Sequence, residues 1–205
     1  MTNCEGEKAK VVVGLGNPGR QYATTRHNVG FRVADVLADR WVAGPPRDAF
    51  GGQFCRARVG PRRGSPPAAA RAVMLLKPQT YMNRSGRAVR ELTDFYKVGC
   101  EDVMVVLDDM ALLPGRLRIR GLGSAGGHKG LSDVLAALGT EMVPRLRIGI
   151  GQPREFMDAT SFVLSPFGPG EAEIIAEAVD LAASAVEDWL FRGLNYVMDK
   201  YNPAT

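Results

Sequence analysis

The chain of 205 residues contains two histidines, His27 and His128, so any reaction that needs an imidazole has two candidates. Polar residues gather in four short clusters: Asn17 with Tyr22 and His27-Asn28, then Tyr81-Met82-Asn83, Asp108-Asp109 and His128-Lys129. A neutral imidazole takes a proton from water, and a buried carboxylate orients the ring and stabilises its charged form. Amide side chains hold a carbonyl oxygen or a developing oxyanion. No serine sits in a nucleophile elbow and no cysteine lies near either histidine in sequence, so water is the expected nucleophile. The widely spaced histidines form no HExxH arrangement, which favours hydrolysis without a metal. Residue type alone leaves plainer readings open. His27 also fits a loop residue at a helix start, Asp108-Asp109 a turn after a strand, and His128 a structural residue of a glycine-rich turn. Tyr81 and Met82 also fit a core, and Asn83 and Ser85 the start of a helix.

These clusters need elements to position them. Three β-branched or apolar runs, at residues 10–16, 72–78 and 103–109, read as buried strands. Residues 53–59, 116–120 and 145–151 alternate or read as shorter strands, 116–120 as an edge carrying Arg116, Arg118 and Arg120 on one face. The run SFVLS (161–165) is a further strand candidate. Helical spacing marks residues 30–41, a helix from a capping Ser85 to about Lys97 with Val89, Leu92 and Phe95/Tyr96 inward, and one near 131–138 stopped by Gly139. The longest helical pattern covers 170–192, with Ile174, Ile175, Leu181 and Trp189 among its inward residues, Gly193 at its end and room for a short helix after it. The turn-rich segment 61–70 reads as a hairpin tip, and 151–160 as a loop flanking the cleft. Strands and helices interleave, which predicts an α/β class: one globular domain over residues 1–205, a mixed twisted sheet covered by helices on both faces, and a flexible stretch at 1–9. In such a sheet, functional groups collect at the carboxyl ends of the strands. Asn17 and Asp108 meet there if their strands are neighbours.

Composition narrows the function. Residues 1–151 carry 23 Lys/Arg against 13 Asp/Glu, a net of +10, whereas residues 152–205 carry 3 against 9, a net of −6. A basic body points to an anionic partner, nucleic acid first, although an Arg-rich composition also arises from a GC-rich genome. No apolar run approaches the roughly 20 residues that span a bilayer. The start, MTNCEGEKAK, lacks the apolar stretch of a secretory signal. Cys4, Cys55 and Cys100 are an odd number without a close pair, which argues against a disulfide framework and a cysteine zinc site and fits a reducing, cytoplasmic setting. Gly14 to Gly19 (GLGNPG) matches the dinucleotide fingerprint in spacing only. Pro18 and a polar stretch follow where a helix must begin at once, and the acid expected after a second strand is missing, so no nucleotide cofactor is expected.

Four segments in order, VVVGLGNPGRQYATTRHNVGF (11–31), KPQTYMNRSG (77–86), DDMALLPGRLRIR followed by GSAGGHKGL (108–131) and PRLRIGIG (144–151), resemble the bacterial peptidyl-tRNA hydrolases. The likeness extends over about residues 10–198. It implies cleavage of the ester between a peptide and the 3′ ribose of tRNA, by a cofactor-free monomer that holds the acceptor stem and 3′ end. Carried across by position, it makes His27 the general base, Asp108 its support and Asn17 the contact to the substrate carbonyl. Tyr22, Tyr81 and Asn83 then line the site with Met82 packed beneath them, and Arg120 and Arg147 meet tRNA phosphates. The family usually has His-Asn-Gly where this chain has His128-Lys129-Gly130. A lysine only donates and adds a charge, so Lys129 would instead grip a phosphate or a main-chain carbonyl. That departure is the one feature in favour of an alternative, a non-catalytic RNA-binding relative like the splicing proteins of plant organelles.

Overall fold

The three strongly apolar runs lie side by side at the centre of one sheet in the computed structural model, which describes residues 9–61, 68–153 and 155–202. In chain order the elements are β1 (Lys10–Gly14), α1 (Val29–Arg40), β2 (Arg47–Ala49), β3 (Gly52–Val59), β4 (Arg71–Pro78), α2 (Ser85–Tyr96), β5 (Val103–Asp109), β6 (Leu117–Arg120), α3 (Lys129–Leu138), β7 (Arg145–Gly149), α4 (Ala159–Val163) and α5 (Pro169–Tyr201). The strand order is β2-β3-β4-β1-β5-β7-β6. The four inner strands β4, β1, β5 and β7 are parallel, while β2, β3 and β6 pair antiparallel at the margins. The sheet is therefore mixed, with β6 at one edge as the sequence indicates.

Successive side chains of a strand face opposite sides, and here both sides are covered. Val11 and Val13 of β1 pack with Val89 and Leu92 of α2 and with Leu131, Val134 and Leu135 of α3. Val12 packs on the other face with Val29, Val33 and Leu37 of α1 and with Ile175, Ala182 and Trp189 of α5. Burial on both faces is why β1, β4 and β5 read as continuous apolar runs rather than alternating ones. One glycine sets how closely α1 approaches. A methyl group on Gly30 would collide with Val106 O and Leu15 O, so only a residue without a side chain lets the helix start rest on the β1–β5 seam.

Some expectations change. The run 161–165 is not a strand: residues 159–163 form α4, whose first turn is capped by Asp158 Oδ1 accepting from Ser161 N–H at 3.0 Å. A five-residue apolar run suits either structure, and the cap decides. Ser85 does not cap α2 from outside. It lies in the first turn, buried, and its hydroxyl donates to Met82 O at 2.9 Å. Phe95, Ile174 and Leu181 face solvent instead of the core. The strand β2 carries no apolar pair in its sequence, RDA, and owes its place to pairing with β3. Gly193, by contrast, interrupts α5 at φ 80° where the long pattern was expected to end, and a short helix follows to Tyr201 as read. Residues 62–67 of the expected hairpin tip and 1–8 of the expected flexible start lie outside the described residues. No helix among the described residues is long and apolar enough to cross a membrane.

Candidate active site

A cleft of about 420 Å³ opens over the carboxyl ends of β1, β5 and β7. Neighbouring parallel strands carry its central groups. Val13 of β1 pairs with Val105 of β5, so the turn after β1 and the end of β5 emerge together. Asn17 lies in that turn, and Asp108 is the penultimate residue of β5. His27 lies in the 3₁₀ turn Arg26–Asn28 that leads into α1, and the close seat of Gly30 brings this turn onto β5.

The geometry centres on one carboxylate oxygen. His27 Nδ1 is 2.8 Å from Asp108 Oδ1, and His128 Nε2 is 3.0 Å from the same atom. The two imidazole rings lie 5.0 Å apart, centroid to centroid. Burial of Asp108 pushes its carboxyl upward, but the imidazoles of His128 and His27 outweigh that and hold it well below the ordinary carboxylate range. An ionised carboxylate only accepts, so each nitrogen facing it carries a proton. For His27 this leaves Nε2 as the unprotonated, basic nitrogen, on a side chain that lines the cleft. For His128 the other ring nitrogen is also assigned: Nδ1 accepts from Leu131 N–H at 3.1 Å, as the N-cap of α3.

His27, Asp108 and His128 are also the one group of three metal-type donors among the described residues, with ligand atoms within 4.8 Å of one another. The donor chemistry does not suit an ion. With Leu131 N–H aimed at Nδ1, His128 presents an N–H at Nε2 rather than a lone pair.

Asn17 is fixed from three sides. Its backbone N–H donates to Asn28 Oδ1 at 2.8 Å, and Asn28 Nδ2 donates back to Asn17 O at 2.9 Å. Its side-chain oxygen accepts from Met82 N–H at 2.8 Å. The side-chain Nδ2 is left as a donor to the cleft. Met82 is buried beneath, packed against Gly130. Tyr22, Tyr81 and Asn83 line the walls, and Lys129, exposed in the first turn of α3, stands at the mouth without an acidic partner among the described residues. Arg147 enters from β7, with Nε 2.9 Å from Asp109 Oδ2. Nine of the ten residues singled out from sequence thus border one cleft. Arg120 is the exception: it is exposed at the end of β6, paired in register with Arg145, the first residue of β7.

Two residues of the polar clusters contribute in ways the sequence does not indicate. His128 reaches the central carboxylate, although its glycine-rich surroundings suggested a structural turn. Its spacing of twenty residues from Asp108 gives no local sign of contact. Asn28 fastens Asn17, and the signal was its place beside His27. Arg26, buried on the other side of His27, donates to Ser165 Oγ at 2.7 Å, to Pro166 O and to Glu171 Oε2 at 2.6 Å. Its guanidinium lies 4.5 Å above the Phe162 ring. The turn carrying His27 is thereby tied to α4, whose Ala159, Thr160 and Val163 line the cleft.

A sequence model of the family described as peptidyl-tRNA hydrolase matches residues 11–205. The peptidyl-tRNA hydrolase of Symbiobacterium thermophilum is 46% identical over 194 residues, covering 95% of this chain and 99% of that protein. That of Rhodopirellula baltica is 44% identical over 196 residues, covering 96% and 98%. Among solved structures, the crystal structure of peptidyl-tRNA hydrolase from Acinetobacter baumannii matches with a TM-score of 0.83 at 35% identity, covering 96% of each chain.

Proposed function

Because this chain belongs to the peptidyl-tRNA hydrolase family, we propose that it cleaves the ester joining a peptide to the 3′ ribose of tRNA, with His27 as the general base. The observation that carries the assignment of roles is the 2.8 Å contact of His27 Nδ1 with Asp108 beside Asn17, in one cleft. His27 Nε2 takes a proton from water as the water oxygen attacks the ester carbonyl carbon. The tetrahedral oxyanion accepts a hydrogen bond from Asn17 Nδ2. Collapse breaks the bond to the ribose oxygen, which recovers a proton from His27, releasing peptide and tRNA. Asp108 holds the ring in the Nδ1–H form and stabilises the imidazolium between the two steps.

Tyr22, Tyr81, Met82 and Asn83 shape the space around the peptide and the terminal nucleotide. Arg147, Lys129 and, farther out, Arg120 meet phosphates of the acceptor stem and 3′ end. The enzyme acts as a monomer in the cytoplasm and recycles tRNA from prematurely released chains. The non-catalytic RNA-binding alternative is not favoured, since the relatives named above are hydrolases.

The test compares release from N-acetylated aminoacyl-tRNA with release from free aminoacyl-tRNA, with and without a chelator. Selective release from the blocked substrate, unaffected by chelator and abolished in His27→Ala, is the expected result. Tight tRNA binding with no release would overturn it.

A further inference from the structure

Asp108 Oδ1 serves two imidazoles at once, at 2.8 Å and 3.0 Å, and the second has its other ring nitrogen engaged as well, by Leu131 N–H. His128 Nδ1 accepts from Leu131 N–H, so a second proton on the ring would set N–H against N–H and uncap α3. This geometry places the ring proton on Nε2, directed at Asp108. We propose that His128 is a positioning residue that acts through Asp108: by donating permanently to Oδ1, it limits how strongly the carboxylate can hold a proton on His27. This rests on the reading of His27 as the base.

The consequence follows from competition for one acceptor. Each donated hydrogen bond disperses part of the carboxylate charge, so the pull on a protonated His27 weakens when His128 also donates. A base retained too firmly in its protonated form is idle near neutral pH. The other titratable groups around the cleft leave this balance to His128. Asp109 of β5 is paired with Arg147 of β7, Lys129 stands exposed at the mouth, and Tyr22 and Tyr81 border the walls. The α4 residues that line the cleft carry no titratable side chain.

With two histidines in the chain, ring nitrogen-15 spectra contain two sets of signals, assigned by comparison with His27→Ala. His128 is expected to show an unprotonated Nδ1 and a protonated Nε2 throughout the range in which the enzyme works. A protonated Nδ1 would overturn the proposal. His128→Asn retains an oxygen that can cap Leu131 N–H but not the donor that reaches Asp108. In that variant the acid limb of the kcat profile is expected to move to higher pH by about half a unit, because the carboxylate turns more fully to His27. At neutral pH kcat is expected to fall by no more than about threefold, the limit for a half-unit shift, with KM within about twofold. A fall in kcat with the acid limb unmoved marks a merely structural role and overturns the proposal. Activity surviving in His27→Ala refutes the base assignment instead, and leaves the protonation state of His128 readable by the same spectra.

Discussion

Asn17 divides its amide between the fold and the cleft. Its oxygen is committed to Met82 N–H, so only Nδ2 is free to act on substrate. Asn17→Asp keeps an acceptor for Met82 and removes the donor. The expected outcome is a fall in kcat of about 10²–10³-fold, the usual effect of deleting one oxyanion donor, with the circular dichroism spectrum retained. Asp108→Asn removes the charge proposed to support the imidazolium but keeps the shape of the side chain. Its kcat is expected to drop by about 10²–10⁴-fold, measured on N-acetylated aminoacyl-tRNA. A stability effect should accompany it, with a definite sign. The folded-state carboxyl titrates below its unfolded value of about 3.9, so its ionised form stabilises the folded chain above that pH and does so progressively less in acid. Asp108→Asn should therefore melt below wild type at pH 7, and the gap should narrow as the pH falls below about 4.

At the scale of elements, the meeting of Asn17, His27 and Asp108 depends on how α1 docks. In a helix, alanine ordinarily exceeds glycine by about 1 kcal/mol in propensity. At Gly30 that gain is opposed by collision with main-chain oxygens of β5 and of the turn after β1, which cannot rotate away. Overpacking of this kind costs about 1–3 kcal/mol, so Gly30→Ala is expected to lose stability in urea unfolding despite its better helix propensity. It should also lose activity while still folded, because His27 lies three residues upstream in the 3₁₀ turn that leads into the helix. The strands of the seam were legible in sequence as the apolar runs of β1, β4 and β5, although their order in the sheet was not. Less legible were features decided by partners rather than by periodicity. SFVLS is helical because Asp158 caps it, and β2 exists because β3 offers an edge. His128 joins the site only because α3 begins beside the end of β5, which no local pattern records.

Across the whole molecule, charge is segregated: net +10 over residues 1–151 and −6 over residues 152–205. The acidic portion includes α5, which packs on the α1 face of the sheet, whereas the cleft lies across the strand ends. Basic groups converge toward one margin of the sheet. In the β6–β7 pair, Arg118 stands opposite Arg147 and Arg120 opposite Arg145, an arrangement that is unfavourable between like charges unless other groups compensate. Arg145 is compensated internally, donating to the carbonyls of Val143, Gly123 and Glu141. Arg147 has Asp109, and Lys129 has no acidic partner among the described residues. A lysine at the cleft mouth without an internal partner is suited to a phosphate, and each phosphate neutralised releases counterions from the nucleic acid. KM should therefore rise steeply with salt. Lys129→Ala should raise KM at low salt and reduce the slope of log KM against log salt by about 0.7–0.9, the value for one lost phosphate contact. Arg147 is a less direct probe, because truncating it also leaves Asp109 buried without its cation, beside Asp108. The two changes should separate in kinetics: Lys129→Ala should act on KM and its salt slope, with kcat nearly unchanged, whereas Arg147→Ala should lower kcat as well. A salt slope unchanged in Lys129→Ala would place this side chain off the path of the phosphates, although it borders the cleft.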